Sequence, residues 1–190
     1  TQAQLPVTTS PQGGQTPFTV TRVPSWLKVL PLSGTLGRDT THLMLYKFGT
    51  RALAAGVYVH TVEISAASLT PGRTQVTLDV PEFWRLSFSP PVLTFASLRD
   101  TLTLTVTNVA NVPLDFELLP NYGFFQILGK TGSLAMGASA GARVFVDTAR
   151  LFGHGPGTYT NNYLILRFGP PGSVGPMTIV PVSDVTLPLV

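Results

Sequence analysis

Hydrophobic and polar residues alternate in short runs along most of this chain. Leu or Val occupies every second position of residues 101–107, and residues 143–147 and 163–166 are short runs rich in Val, Leu, Ile and Phe. A period of two is typical of strands with one face on a core. Gly- and Pro-rich turns, such as residues 153–157, separate the runs. This pattern predicts an all-β chain built as a β-sandwich rather than an α/β fold.

The chain also contains one sequence twice, because residues 17–80 resemble residues 113–182. Internal similarity of this kind indicates a duplicated module. The clearest matches pair residues 33–36 with 131–134, residues 55–58 with 156–159, and residues 76–80 with 178–182.

The duplication predicts two modules, residues 17–81 and residues 82–182, with an N-terminal arm at residues 1–16 and a C-terminal tail at residues 183–190. Two strands, at residues 92–95 and 101–107, come before the second copy, whereas the first copy follows only the polar arm. A sandwich without its initial strands exposes a sheet edge and part of its core. The first module is therefore predicted to be incomplete.

Composition narrows the classes of function. Charged residues make up 11% of the chain, compared with about 25% in typical soluble domains, so we expect neighbouring subunits or a matrix to cover its surface. The net charge of +3 is scattered and gives no footprint for nucleic acid. No apolar run is long enough to span a bilayer. The absence of an initiator Met leads us to expect a processed, secreted or cell-surface protein.

Signatures of catalysis are missing from the sequence. There are no cysteines and three histidines, and the metal, nucleophile and phosphate-binding motifs of enzymes do not occur. We therefore expect no enzymatic activity, no metal and no cofactor.

Residues 24–35 contain a Trp-Leu pair followed by Ser-Gly-Thr, and residues 53–58 end in Gly-Val-Tyr. With the closing strand at residues 76–80, these elements resemble the BACON family of bacterial extracellular domains. The second module resembles the family more loosely, with residues 124–127 in place of the Trp-Leu element. The resemblance implies tandem immunoglobulin-like β-sandwiches and carbohydrate binding.

A sugar site requires exposed aromatic rings with amide neighbours, and the candidates are Trp84, Tyr122, Tyr159 and Asn161. The alternative for each ring is packing, since aromatic residues next to turns commonly anchor loops. An adhesion module that binds surface glycans is the alternative function.

The arm and the tail have no evident role inside the two modules, so either could complete another copy. Leu5 and Val7 lie in the arm, and Val185, Leu187 and Leu189 alternate with polar residues or Pro in the tail. Such alternation is typical of a strand that adds to the open edge of a sheet. We therefore consider these five residues candidate donor-strand residues.

A donor and an acceptor at opposite ends of the chain predict head-to-tail contacts, which continue into a ring or a filament. The predicted function is a non-catalytic subunit of an extracellular filament, pilus-like fibre or surface layer, with other copies of the chain as partners. In the alternative, the arm folds back as a minimal first strand and the first module closes itself.

Overall fold

The computed structural model describes residues 2–8, 15–36, 41–48, 53–67, 70–173 and 175–187. The chain divides into two compact units, Thr1–Pro81 (unit 1) and Glu82–Val190 (unit 2). In the described ranges, no helix is long and apolar enough to cross a membrane.

Unit 1 consists of antiparallel strands in two sheets. One sheet has the order β1-β5-β3 and the other the order β4-β2-β6-β7. Its described core consists of Phe18, Val20, Trp26, Leu27, Val29 and Val62. The strands are β1 (Gln2–Thr8), β2 (Thr16–Thr21), β3 (Leu27–Leu30), β4 (Ser33–Leu36), β5 (Thr41–Phe48), β6 (Gly56–Ala66) and β7 (Gly72–Val80).

Unit 2 repeats this arrangement with additional strands. Its sheets have the orders β11-β13-β9-β8 and β12-β10-β15-β16, and β14 pairs separately with β17. The elements are β8 (Leu86–Ser89), β9 (Thr101–Asn108), β10 (Leu114–Pro120), β11 (Phe125–Leu128), β12 (Thr131–Leu134), β13 (Ser139–Val146), α1 (Thr148–His154), β14 (Gly157–Tyr159), β15 (Tyr163–Gly169), β16 (Met177–Pro181) and β17 (Val185–Leu187).

The alternating pattern of the sequence is visible in β9, where Leu104 and Val106 are fully buried and the alternate residues Thr103, Thr105 and Thr107 are more exposed. The same alternation in both units places one face of each sheet on a core. The structure confirms the predicted class, an all-β chain with two tandem immunoglobulin-like β-sandwiches.

The duplication is visible in a contact between a phenylalanine and a glycine. Phe18 of β2 lies opposite Gly34 of β4, and Phe116 of β10 lies opposite Gly132 of β12. A Cβ atom on either glycine would stand 2.8 Å from the facing ring. A larger residue at either position would have to displace the ring, so both units favour glycine there.

A tyrosine near the first residues of β6 and of β14 provides a second match. The Tyr58 hydroxyl donates a hydrogen bond to the Ala54 carbonyl at 2.9 Å, and the Tyr159 hydroxyl donates one to the Gly155 carbonyl at 2.6 Å. Each tyrosine follows a glycine with positive φ, which is 144° at Gly56 and 153° at Gly157. The predicted match between these turns therefore extends to their backbone conformation.

The prediction that no strand precedes the first repeat was wrong, because the N-terminal arm contains the strand β1. β1 pairs with β5 in the register in which β9 pairs with β13. Leu5 therefore occupies the position of Leu104 in the strand register, and Val7 occupies that of Val106. The physical reason is that pairing with β5 supplies hydrogen bonds to a segment whose own apolar pattern is too short to predict a strand.

The prediction that the tail has no role inside its own module was also wrong. β17 pairs antiparallel with β14, and the side chains of Val185 and Leu187 are 2% and 5% exposed in the core of unit 2. Leu189 lies outside the described residues.

The tail was misassigned because the closing strands of the two repeats were aligned in the wrong register. Gly56 lies opposite Val80, and its counterpart Gly157 lies opposite Leu187. Val80 therefore corresponds to Leu187 and not to Val182. At Val76 the slip is four residues, since the sequence match pairs Val76 with Thr178 and the strand register pairs it with Val182. An even slip along a period-two pattern leaves the same face inward, so the pattern does not detect it. The slip grows to five at Val80 because unit 2 has Ser183 and Asp184 where unit 1 has only Thr77.

We predict that Gly132→Ala lowers the free energy of unfolding by about 1–3 kcal/mol, because the new methyl group would overlap the Phe116 ring. Urea denaturation of the full chain measures this effect. Gly123→Ala is the matched control, since a Cβ there meets nothing within 4 Å. Equal effects of the two substitutions would contradict the proposed contact.

Candidate functional site

Unit 2 shows how a complete module covers its sheet edge. After β8, the chain crosses to the other sheet, where Leu93 forms a parallel bridge with Val182. The Leu93 N–H donates to the Pro181 carbonyl at 3.0 Å, and the Ser183 N–H donates to the Leu93 carbonyl at 2.8 Å. The Leu93 side chain is fully buried. This segment therefore bonds the edge at Pro181 and Ser183 and covers the core beside Val182.

Among the described residues of unit 1, no segment takes the place of β8 or of Leu93. β1 and β7, which occupy the places of β9 and β16 in unit 2, each lie at one end of the strand order of their sheet, and the other ends are β3 and β4. By strand register, Val76 corresponds to Val182 and Leu78 corresponds to Val185. Val182 and Val185 are 6% and 2% exposed, whereas Val76 and Leu78 are only half-buried. The core of unit 1 is therefore less completely covered along β7.

The two open edges differ in their capacity to accept another strand. In unit 2, β8 pairs with the edge of β9, and Thr105 of β9 lies opposite Ser89. In unit 1, β1 takes the place of β9, and Pro6 takes the position of Thr105. Proline has no N–H group to donate, so it weakens strand addition at this edge. β7 has nine residues and contains neither Pro nor Lys. The edge of β7 is therefore the stronger candidate for strand addition.

The backbone groups that β7 presents at its edge can be assigned from unit 2. The Val182 N–H donates inward to Asn162, whereas the flanking residues Pro181 and Ser183 bond outward to Leu93. By the same register, the N–H and C=O groups of Val76 point toward β6. The outward groups of β7 belong to the alternate residues, which are Arg73, Gln75, Thr77 and Asp79.

The outer face of the β7 sheet carries an ion-pair network in unit 1. Glu63 lies 3.0 Å from the Arg73 Nε and 3.8 Å from the Arg22 Nε. Both arginine side chains are 64% exposed, so the pairs contribute little to stability. They hold the Arg73 guanidinium beside the open edge.

In unit 2, the residues at the positions of Glu63 and Arg73 are apolar. Leu119, Ile165 and Ile179 lie opposite one another across β10, β15 and β16. Ile179 is 56% exposed. Two sheets with the same strand order therefore present different chemistry on their outer faces.

The aromatic residues predicted to form a sugar platform pack mainly on one another. Tyr122 stacks on Phe124 with ring centroids 5.2 Å apart, and Tyr159 approaches both rings edge-on. Asn161 has a positive φ of 54°, and its carbonyl accepts a hydrogen bond from the Asn121 side chain. Tyr122, Tyr159 and Asn161 therefore lie at the end of unit 2 that follows β10.

Trp84 lies at the opposite end of β10. Its indole N–H donates to Glu82, and the adjacent Arg85 carbonyl accepts from Val109 in the turn before β10. The seven residues of β10 separate this turn from Tyr122 by roughly 20 Å. The structure does not bring the four candidate residues into one site, and carbohydrate binding stays a prediction.

Val185 and Leu187 bury their side chains in their own unit, and Leu5 and Val7 lie in β1 of theirs. Sequence reasoning missed the β7 edge because the repeat was aligned out of register there. The absence of Pro from β7, against Pro181 in β16, is the signal that could have indicated it.

In the part of the chain that the structure describes, no group of three or more His, Cys, Asp or Glu side chains could hold a metal ion.

No family model and no curated protein matches the chain. It is similar to a solved protein of unknown function from Porphyromonas gingivalis W83, with 14% identity, coverage of 98% of this chain and 92% of that one, and a TM-score of 0.44. It is also similar to the D0-D1 domain of intimin, with 12% identity, coverage of 95% and 90%, and a TM-score of 0.33. These similarities are too weak to bear on function.

We predict that Leu187→Ala lowers the free energy of unfolding by about 2–3 kcal/mol, since the side chain is buried beside β14. Thermal or urea unfolding of the full chain measures this change, with the exposed Asp184→Ala as control. A variant with unchanged stability that no longer assembles would instead identify the tail as a donor in trans.

Proposed function

We propose that this protein is a non-catalytic structural subunit that assembles with other chains by β-strand addition at the edge of β7. The observation that supports this proposal is the absence, among the described residues of unit 1, of any segment that covers β7 as Leu93 covers the same edge in unit 2. The product is an extracellular filament, a pilus-like fibre or a surface layer.

The gain from strand addition has two sources. Four residues of β7 direct N–H and C=O groups outward, and an added strand would bond them. The half-buried Val76 and Leu78 would lose their remaining contact with water, with a gain of a fraction of the about 1.5–3 kcal/mol that full burial of such a side chain gives. The low content of charged residues, 11%, favours further contacts between subunits.

The C-terminal tail is a weaker donor than its sequence predicts. To reach another copy, β17 would have to leave β14 and expose Val185 and Leu187, which offsets about 3–6 kcal/mol of the gain. Donation by the tail therefore amounts to an exchange of equivalent contacts. The proposal depends on the open edge of β7 and not on the tail.

Membership of the BACON family and a place on a bacterial cell surface are parts of the same proposal. They are supported by the Trp-Leu to Ser-Gly-Thr element, in which Trp26 and Leu27 belong to the core of unit 1. The core position of Trp26 favours a structural role for this element over contact with a sugar.

We predict that Thr77→Pro abolishes assembly while unit 1 stays folded. Proline removes an N–H group that faces outward, and an edge strand tolerates this loss because the bonds to the neighbouring strand are kept. Mass photometry and sedimentation velocity should give a monomer near 20.3 kDa at concentrations where the unchanged protein forms larger species.

Thr77→Val is the matched control, since it keeps the N–H group and the tendency to form a strand. It should assemble as the unchanged protein does. Normal assembly of Thr77→Pro would rule out the edge of β7 as the assembly site.

A further inference from the structure

The charges of β7 are arranged symmetrically along the strand. Arg73 and Asp79 stand at equal distances on either side of Val76, and no other charged residue occurs between Gly72 and Val80. Both side chains lie on the exposed face of the sheet. An antiparallel copy of the same strand, centred on Val76, would therefore place each Arg73 opposite an Asp79.

The backbone is suited to the same pairing. In this register Gln75 lies opposite Thr77 of the other copy, so residues with outward N–H and C=O groups face one another. Each such pair exchanges two hydrogen bonds, which gives about eight bonds over roughly 30 Å of strand. On the inner face, Val76 meets its own counterpart and Thr74 meets Leu78.

We infer that the strand added to β7 is β7 of a second copy, paired antiparallel about a two-fold axis at Val76. This inference rests on the proposed assembly at the β7 edge and names its partner. A donor strand with the same direction as the Leu93 segment would run parallel to β7 and would not use the symmetry of its charges. Self-pairing uses both the charges and the outward backbone groups.

The Arg73 side chain can serve its own unit and the partner together. Its Nε lies 3.0 Å from Glu63, and the guanidinium carries four further N–H groups. The carboxylate of Asp79 in the second copy would accept from these groups. Because the contact is isologous, it closes into a dimer, and a filament would need a second interface elsewhere on the subunit.

The direct test is a disulfide, because the chain has no cysteine of its own. Val76→Cys would place two thiols in a non-hydrogen-bonded pair, where the Cα separation of about 4.5 Å falls within the range of disulfides. We expect mild oxidation to convert most of the full-length variant into a covalent dimer of twice 20.3 kDa. Thr74→Cys is the control on the same face; it would face Leu78 and should remain largely uncrosslinked.

A second test uses the charges. Arg73→Glu and Asp79→Arg should each weaken self-association about tenfold or more, because like charges then oppose each other twice. An equimolar mixture of the two variants should restore dimers to within about threefold of the unchanged protein, as every pair is again opposite in sign. Sedimentation velocity of each variant and of the mixture measures this.

The outcomes separate this inference from the proposed function. If Thr77→Pro prevents assembly but Val76→Cys does not crosslink, another strand adds to β7, and self-pairing is wrong. If Thr77→Pro assembles normally, the proposed function fails as well. Equal crosslinking of Val76→Cys and Thr74→Cys would overturn the register. So would an equimolar mixture of Arg73→Glu and Asp79→Arg that associates no more strongly than either variant alone.

Discussion

A backbone amide at the edge of a sheet needs a hydrogen-bond partner in a strand, in a side chain or in water, and this requirement accounts for the main difference between the two units. Unit 2 meets it with the segment that contains Leu93, which both bonds the edge and inserts a buried side chain. Along β7 of unit 1, the described residues provide no such segment. The unit with less core coverage is thus the unit in which, among the described residues, the outer edge of β7 has no covering segment and no proline.

The class of fold could be predicted from the sequence because it depends on local patterns. The alternation in β9 and the turn at Gly157 are readable without any knowledge of distant residues. The duplication was readable for the same reason, since Gly34 and Gly132 stand in similar short segments. Register was not readable, because a period-two pattern fits several even shifts equally well.

The candidate site is the edge of β7, and its identification depends on the register in which the closing strands of the two repeats are matched. Matching Val80 to Val182 predicts that the tail is an extra strand and that β7 is an ordinary closing strand. The observed pairing of Gly157 with Leu187 shows that β17 completes the end of the closing strand in unit 2. Only the paired strands show that no described strand lies on the outer side of β7, because pairing joins residues far apart in the chain.

The contact between Phe18 and Gly34, repeated between Phe116 and Gly132, also gives a means of recognising this module in other chains. The phenylalanine precedes the glycine by the same number of residues in both units, and the Gly-x-Tyr turn follows. The residues between them differ at almost every position between the two units, whereas the phenylalanine and the glycine are the same in both. A search for this spacing could therefore detect diverged homologues in which overall sequence identity has fallen below the level that alignment requires.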